Sequence, residues 1–150
     1  MVSTPCCWFF VIFHPFHLPL VNIYLSNCIL TSDPITGEIV KIVSQLDNRV
    51  MQGSPSGGAQ MMTSSDNLAQ HWARVPIEGG ERFINMETNL PLFVAFNEDW
   101  SYNPDTKLII EMNGQHRAID RGWSQVDGAN VAWYTAHGAP NQQFRLEPVA

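Results

Sequence analysis

Two segments of the chain end in the same way, and this internal repeat constrains the fold more than any other feature. Residues 69–76 read AQHWARVP and residues 141–148 read NQQFRLEP, each with a glutamine two positions before an aromatic residue. Superposition places Trp72 on Phe144, 72 residues apart, and the midpoint falls on Leu108. A degenerate third unit therefore fits between the two, and the chain is predicted to repeat one supersecondary unit.

The openings of the three units are also alike. Each has an apolar strand, a polar turn and a second apolar strand: VKIVSQLDNRVMQG (40–53), RFINMETNLPLFVAF (82–96) and LIIEMNGQHRAIDRG (108–122). The last turn carries Asn113-Gly114, a pair that favours tight hairpins. Gly- and Pro-rich turns recur, and no 3.6-residue apolar period is present. The pattern predicts an all-β barrel without helices, whose Leu, Ile, Val, Trp and Phe residues meet at one shared centre.

The second unit is short. With Ser44, Met86 and Met112 as equivalent points, the first unit spans 42 residues and the second only 26. Four strands of about five residues with their turns barely fit into that length. We therefore expect the second unit to have lost a hairpin.

The unit endings resemble the Gln-x-Trp motif of ricin-B-type β-trefoil lectins. The third unit, AIDRGWSQVDGANVAWYTAHGAPNQQFRLEP, is similar to the fungal members of that family. The resemblance covers residues 37–150 and implies a β-trefoil that binds carbohydrate without catalysis. The chain departs from the family pattern at several positions: Phe144 replaces Trp in the third unit, Gln52 and Ala69 replace Asp and Asn in the first, and Val94 stands at the Asp position of the second, which has no Gln-x-Trp motif.

A sugar site needs an acceptor for hydroxyl groups, an amide and an aromatic plane for the C–H face of the ring. The third unit carries all three types, and the resemblance implies a site formed by Asp120, Trp133, Tyr134, His137, Asn141 and Gln142. It implies that Asp120 binds hydroxyls, that Trp133 or Tyr134 stacks on the ring, that Asn141 adds hydrogen bonds, that Gln142 mainly braces the fold, and that His137 borders the pocket. Asp120→Ala is then expected to abolish sugar binding with little loss of stability.

The residues alone leave a structural role open for each candidate. Asp120 can hold the turn that follows it, Trp133 can pack in the core, and Asn141 can be a turn residue after a proline. Two other tryptophans are candidates: Trp123 as a stacking residue on a loop, and Trp100 as a binding residue or the cap of a barrel end.

The charge of the chain narrows the range of partners. A net charge of −6 and a pI near 5.2 argue against nucleic acid and anionic membranes, which need a basic surface. Glycans, with galactose-type sugars among them, and a second copy of the chain are the expected partners.

The motifs of common enzymes are absent, and His71, His116 and His137 lack metal-ligand spacing. No enzymatic activity, cofactor or metal is expected.

Residues 1–36 differ from the rest of the chain, since they are apolar and contain all three cysteines. Three interpretations stay open: sequence outside the functional fold, such as a read-through of non-coding sequence, a targeting segment, or a membrane anchor. The absence of cysteine from residues 37–150 favours a cytosolic protein, with secretion as the alternative.

Because fold alone does not give function, a β-trefoil protease inhibitor or accessory subunit without sugar binding is the competing hypothesis.

Overall fold

The computed structural model describes residues 37–113 and 116–150. The predictions made for residues 1–36 and for the hairpin turn at Gly114 lie outside these described residues. Within them, no helix is long and apolar enough to cross a membrane.

The first unit contains four strands and one short 3-10 turn. The turn, Leu68–Gln70, comes directly before the last strand, and the strands are β1 (Glu38–Ser44), β2 (Val50–Gly53), β3 (Ala59–Met62) and β4 (Trp72–Ile77). The second unit has two strands, β5 (Gly80–Asn85) and β6 (Trp100–Asn103). The third has a second 3-10 turn, Pro140–Gln142, and five strands: β7 (Leu108–Glu111), β8 (Arg117–Asp120), β9 (Ala129–Asn130), β10 (Ala132–Thr135) and β11 (Phe144–Pro148).

Six of these strands form a closed ring. Strand β1 pairs antiparallel with both β4 and β11, and the sheet continues from β4 through β5 and β6 to β7. A hydrogen bond of 2.8 Å from the Phe144 amide to the Lys107 carbonyl joins the last strand to the start of β7. Two hairpins, β2–β3 and β8–β10, extend from the ring. The predicted barrel of three units is confirmed.

Each unit places one large aromatic residue at the shared centre. The indole nitrogen of Trp72 donates to the Met51 carbonyl at 2.9 Å, and that of Trp100 donates to the Leu92 carbonyl at 3.1 Å. Trp100 is fully buried, so it ends the second unit as Trp72 ends the first. Burial of Trp100 contradicts its predicted role as an exposed binding residue, whereas its alternative role as the cap of a barrel end stays a prediction. Leu108, at the midpoint between Trp72 and Phe144, does not end the second unit. It is the first residue of β7, where the third unit begins.

The second unit is shortened, as predicted. Between β5 and β6 the described residues form no further strand, and only the isolated bridges Ile84–Pro91 and Val94–Asn97 remain of the hairpin. Three non-glycine residues in this stretch have positive φ angles: Asn89, Ala95 and Phe96. Such angles are uncommon outside glycine and reflect the tightness of the shortened connection.

One bridge recurs in all three units and fixes their register. It joins Val43 to Val50, Ile84 to Pro91 and Ile110 to Ala118. Two residues after its second member stand Gln52, Phe93 and Asp120. Phe93, and not Val94 as predicted, therefore occupies the Asp position of the second unit. The error arose because β5 ends at Asn85, whose side chain accepts hydrogen bonds from the following turn, so Met86 already belongs to that turn.

Apolar residues from all three units form a single core, as the repeat predicted. Its thirteen buried members are Val40, Ile42, Met51, Met61, Trp72, Phe83, Leu92, Val94, Trp100, Ile109, Ile119, Ala129 and Phe144. Truncation of a buried aromatic residue to alanine typically costs about 3–5 kcal/mol. The three central aromatic side chains are thus major contributors to a fold that positions the surface loops.

Candidate functional site

A depression of about 370 Å³ lies on the third unit, where the β8–β10 hairpin meets the turn Pro140–Gln142. Strands β8 and β10 pair antiparallel, with Asp120 opposite Ala132 and Tyr134 opposite Ala118. Cross-strand partners and alternate residues share a face of a sheet, so Asp120 and Tyr134 point to the same side. The depression is lined by Asp120, Arg121, Gly122, Trp123, Asn130, Ala132, Trp133, Tyr134, His137 and Asn141.

The Asp120 carboxylate is held by three hydrogen bonds. Its Oδ1 accepts from the Gly122 amide at 2.6 Å and from Asn141 Nδ2 at 2.9 Å, and its Oδ2 accepts from Gln142 Nε2 at 3.0 Å. The residue is only 8% exposed. Asp120 therefore holds the turn after β8 and also presents a fixed carboxylate to the depression. The Oδ2 atom keeps one acceptor position free, because an ionised carboxylate oxygen accepts about two hydrogen bonds.

Asn141 has an acceptor atom without a partner. The residue is 3% exposed, and donation from its Nδ2 to Asp120 sets the orientation of the amide. Its Oδ1 is buried and accepts no hydrogen bond within the described part of the chain. A buried polar atom left unsatisfied costs about 1–3 kcal/mol, and the described residues also carry such atoms at His71, Glu111 and Arg121. Asn141 lines the depression, and its Oδ1 is covered by protein, so a ligand can reach this acceptor only if the amide moves.

Gln142 lies behind the depression and stabilises the backbone of residues 135–137 by hydrogen bonds. Its Nε2 donates to the Thr135 carbonyl at 3.0 Å, and its Oε1 accepts from the His137 amide at 2.8 Å. The first unit repeats this set, since Gln70 donates to the Thr63 carbonyl at 3.0 Å and accepts from the Ser65 amide at 2.8 Å. We call these bonds the glutamine clasp. The glutamine that the two units share is thus a structural residue. In the third unit, Gln142 also contacts Asp120.

The two aromatic candidates on β10 differ in exposure. Tyr134 is 64% exposed on the face that carries Asp120, and its ring meets the His137 ring edge-on with centroids 6.4 Å apart. Trp133 lies opposite Ile119, is packed against the core, and is covered by the Arg117 guanidinium at 4.2 Å from the ring centroid. Most of the Tyr134 side chain is therefore open to a ligand, whereas Trp133 lines the depression but is held by the core and by Arg117.

All six residues predicted from the sequence meet at this place. Five line the depression, and Gln142 lies behind it in contact with Asp120. The His137 Nε2 atom is 3.6 Å from Asp120 Oδ2, so the imidazole borders the carboxylate. Trp123, the spare stacking candidate, is exposed and also lines the depression.

Sequence reasoning missed Arg121, which is buried directly after Asp120. Its guanidinium bonds Asp47 and the Ser124 carbonyl, and it donates to Ser44 Oγ at 3.3 Å. Burial raises the pKa of Asp47, but hydrogen bonds from Arg121 and Arg49 outweigh it, so the pKa of Asp47 lies below its usual value. This ion pair anchors the loop after β8 to the first unit. The sequence carried no signal for it, because Asp47 lies 74 residues away.

Glu98 and Asp99 are adjacent in sequence, and both carboxylates are engaged in ion pairs. Their shared partner is Arg82, at 3.0 and 2.5 Å. In the described ranges, no three His, Cys, Asp or Glu residues cluster in a way that suits a metal ion. The chemistry available at the third-unit depression is hydrogen bonding and aromatic stacking.

No family model and no curated protein matches the sequence, but solved structures match its fold. The agglutinin of Rhizoctonia solani superposes with a TM-score of 0.68 at 12% identity, over 76% of this chain and 96% of that one. The C-terminal half of an earthworm R-type lectin, in complex with GalNAc, superposes with a TM-score of 0.56 at 17% identity, over 75% and 99%. The chain is a β-trefoil.

A third match shows how the same fold occurs within a larger protein. An exo-β-1,3-galactanase from Clostridium thermocellum superposes with a TM-score of 0.56 at 22% identity over 76% of this chain, but only 31% of the enzyme is covered. The β-trefoil corresponds to under a third of that enzyme, whereas it accounts for almost all of the two lectin chains.

Proposed function

We propose that the protein is a non-catalytic lectin and that the depression on the third unit is its sugar site. The observation that carries this proposal is the depression in which the fixed carboxylate of Asp120, the amide of Asn141 and the exposed ring of Tyr134 come together. One hydroxyl group of a sugar can donate to Asp120 Oδ2, and an adjacent hydroxyl can donate to Asn141 Oδ1 once the amide moves enough to uncover that atom. The exposed Tyr134 ring then covers the C–H face of the sugar, as aromatic rings do for apolar surfaces.

The comparisons support this proposal through the fold. The matched earthworm lectin half was crystallised with GalNAc, which supports galactose-type sugars as the first candidates for this chain. We propose a single site per chain, because neither of the other units carries the Asp–Asn pair. One shallow site binds weakly, so a homodimer that presents two sites would raise the avidity. A cytosolic location remains a prediction from the absence of cysteine in residues 37–150.

A glycan array tests the proposal with three forms of the full chain: native, Asp120→Ala and Gln52→Ala. Gln52 is the matched control, because it stands at the equivalent position of the first unit. We expect the native chain and Gln52→Ala to bind the same glycans, and Asp120→Ala to lose about a hundredfold in affinity, since hydrogen bonds to a charged group contribute about 1.5–3 kcal/mol each.

Thermal unfolding of each variant completes the experiment. Removal of Asp120 frees the buried amides of Asn141 and Gln142, so we expect a loss of about 1–3 kcal/mol in stability. This is more than the small loss that the sequence alone suggested. Glycan binding that persists in folded Asp120→Ala places the site elsewhere. No binding by the folded native chain contradicts the lectin proposal and favours the β-trefoil inhibitor or accessory subunit, which a pull-down would then address.

A further inference from the structure

A second cavity adjoins the candidate sugar site. Its volume is about 510 Å³, and His137 lines both cavities. The other lining residues are Asp105, Thr106, Lys107, Leu108, Ala136, Gly138 and Gln143. Both volumes fall in the range of about 300–1,000 Å³ that ligand pockets typically have. A ligand larger than one sugar ring can therefore extend from the first cavity past His137 into the second.

Lys107 is held firmly at the wall of this second cavity. Its amide donates to the Asn103 carbonyl at 2.7 Å, and its carbonyl accepts from the Phe144 amide at 2.8 Å. Its φ angle is 61°, which is typical of a tight turn, and any residue that replaces Lys107 must adopt the same positive φ angle. The backbone is thus fixed on both sides, and the half-buried side chain is directed by a rigid turn.

Lys107 makes no ion pair within 4 Å to any described residue, although the carboxylate of Asp105 lines the same cavity. Of the eight Lys and Arg residues, six form ion pairs with carboxylates: Lys41, Arg49, Arg74, Arg82, Arg121 and Arg145. Arg117 lies over the ring of Trp133. Lys107 has neither kind of partner among residues 37–113 and 116–150. An ammonium group without an ion pair beside a cavity is free to contact an anionic group on a ligand.

One carboxylate, Asp105, lines the same cavity. It is exposed, and the ion pairs of the described residues do not include one between Asp105 and Lys107. Since the two charges have opposite signs, each affects an anionic ligand in the opposite direction. Lys107→Gln and Asp105→Asn are therefore expected to change the affinity for an anionic ligand in opposite directions.

We propose that the ligand is an acidic oligosaccharide. Its first sugar residue occupies the Asp120 site, and a carboxylate or sulfate on the adjoining residue reaches Lys107 in the second cavity. The inference rests on the proposed function, because only a sugar at Asp120 places its neighbour past His137. Hydrogen bonds from the Lys107 ammonium to an anionic oxygen are charge-assisted and therefore stronger than those to a hydroxyl group.

The test uses a glycan array on which each neutral glycan is printed beside its sulfated and its carboxylate-bearing forms. Four full-length proteins are compared: native, Lys107→Gln, Asp105→Asn and the control Lys41→Gln, whose lysine pairs with Asp66 away from both cavities. We expect the native chain to bind one acidic form about three- to fivefold more tightly than its neutral parent, the size of effect that a partly exposed ion pair gives.

The variants then separate the two claims. Lys107→Gln should bind neutral and acidic forms equally, Asp105→Asn should increase the acidic preference, and Lys41→Gln should match the native chain. Equal binding of neutral and acidic glycans by the native chain, or a preference that survives in Lys107→Gln, overturns this inference and leaves the lectin proposal intact. Absence of binding to every glycan overturns the lectin proposal and this inference with it.

Discussion

The first and third units share the glutamine before the central aromatic residue and differ at the positions that form the candidate sugar site. Both close the glutamine clasp, with Gln70 and Gln142 making matching bonds to Thr63 and Thr135. At the binding face, however, the first unit has Gln52, Met62, Ser65 and Ala69 where the third has Asp120, Tyr134, His137 and Asn141. The clasp is therefore a structural feature that these two units share, and the polar and aromatic residues around it are a separate feature of the candidate sugar site.

The second unit extends the comparison. It keeps only the central aromatic residue, Trp100, and has no clasp, because Glu98 stands where the glutamine would be. At its Asp position, Phe93 packs edge-on against Phe96, which is 94% exposed, with ring centroids 6.2 Å apart. The three units thus retain the core residue in every case, the clasp in two and the candidate site in one.

The largest effect is expected at the ion pair that ties the third-unit site to the first unit. Asp47→Asn leaves the guanidinium of Arg121 buried without a counter-charge, which typically costs about 3–5 kcal/mol. Urea unfolding measures this loss. Asp66→Asn is the control, because Asp66 is fully exposed and pairs only with Lys41 at 3.4 Å, so its loss should stay below about 1 kcal/mol. Similar small losses in both variants would show that the buried pair does not anchor the loop.

The same pair predicts a dependence on pH. Because the pKa of Asp47 in the folded state lies below its usual value of 3.8, the ion pair stabilises the fold at pH values above 3.8. That contribution is lost as the pH falls from 3.8 through the folded-state pKa. The difference in stability between the native chain and Asp47→Asn should therefore shrink in acid. A difference that stays constant down to pH 2 would contradict this linkage.

Asn141→Ala gives the third unit the residue that the first unit has at Ala69. We expect sugar affinity to fall about tenfold, because one hydrogen bond to the ligand contributes about 0.5–1.5 kcal/mol. Titration calorimetry with a glycan from the array measures the change. The loss of the Asp120 contact lowers stability as well, so thermal unfolding must accompany the titration. Unchanged affinity would remove Asn141 from the site.

Tyr134→Ala tests the aromatic plane, with Met62→Ala as the matched change in the first unit. We expect Tyr134→Ala to weaken sugar binding about fivefold, since aromatic contacts contribute about 0.5–1.5 kcal/mol beyond area burial. Met62→Ala should leave affinity unchanged. Because Tyr134 is mostly exposed, its removal should barely alter stability. If Trp133→Phe has the larger effect on affinity, Trp133 is the stacking residue instead.

The smallest expected effect is a gain of binding in the first unit. Gln52→Asp combined with Ala69→Asn restores the polar pair beside an existing glutamine clasp. We expect a weak second site, seen in calorimetry as a stoichiometry that rises from one toward two sugars per chain. A stoichiometry that stays at one would show that Tyr134 and His137 are also needed before a unit can bind.

Much of this arrangement was predictable, because it depends on repeated local patterns. Strand–turn–strand openings located the three units, and the likeness of the endings located the clasp. The roles of Trp100 and Arg121 were not predictable in this way. Trp100 lacks the glutamine that marks the other endings, and the bonds of Arg121 join residues that are distant in sequence. The assignment of Val94 failed because the end of a strand depends on side-chain capping by Asn85, which composition does not reveal.

The most direct test of the central claim is an NMR titration of the isotope-labelled full chain with a glycan that binds on the array. Amide chemical shifts report which unit the sugar contacts. We predict that the shifts change for residues 120–123 and 132–142 of the third unit and remain constant for residues 52–70 of the first. Changes confined to the first unit, or centred on Phe93 and Phe96, would contradict the assignment of the sugar site to the third unit.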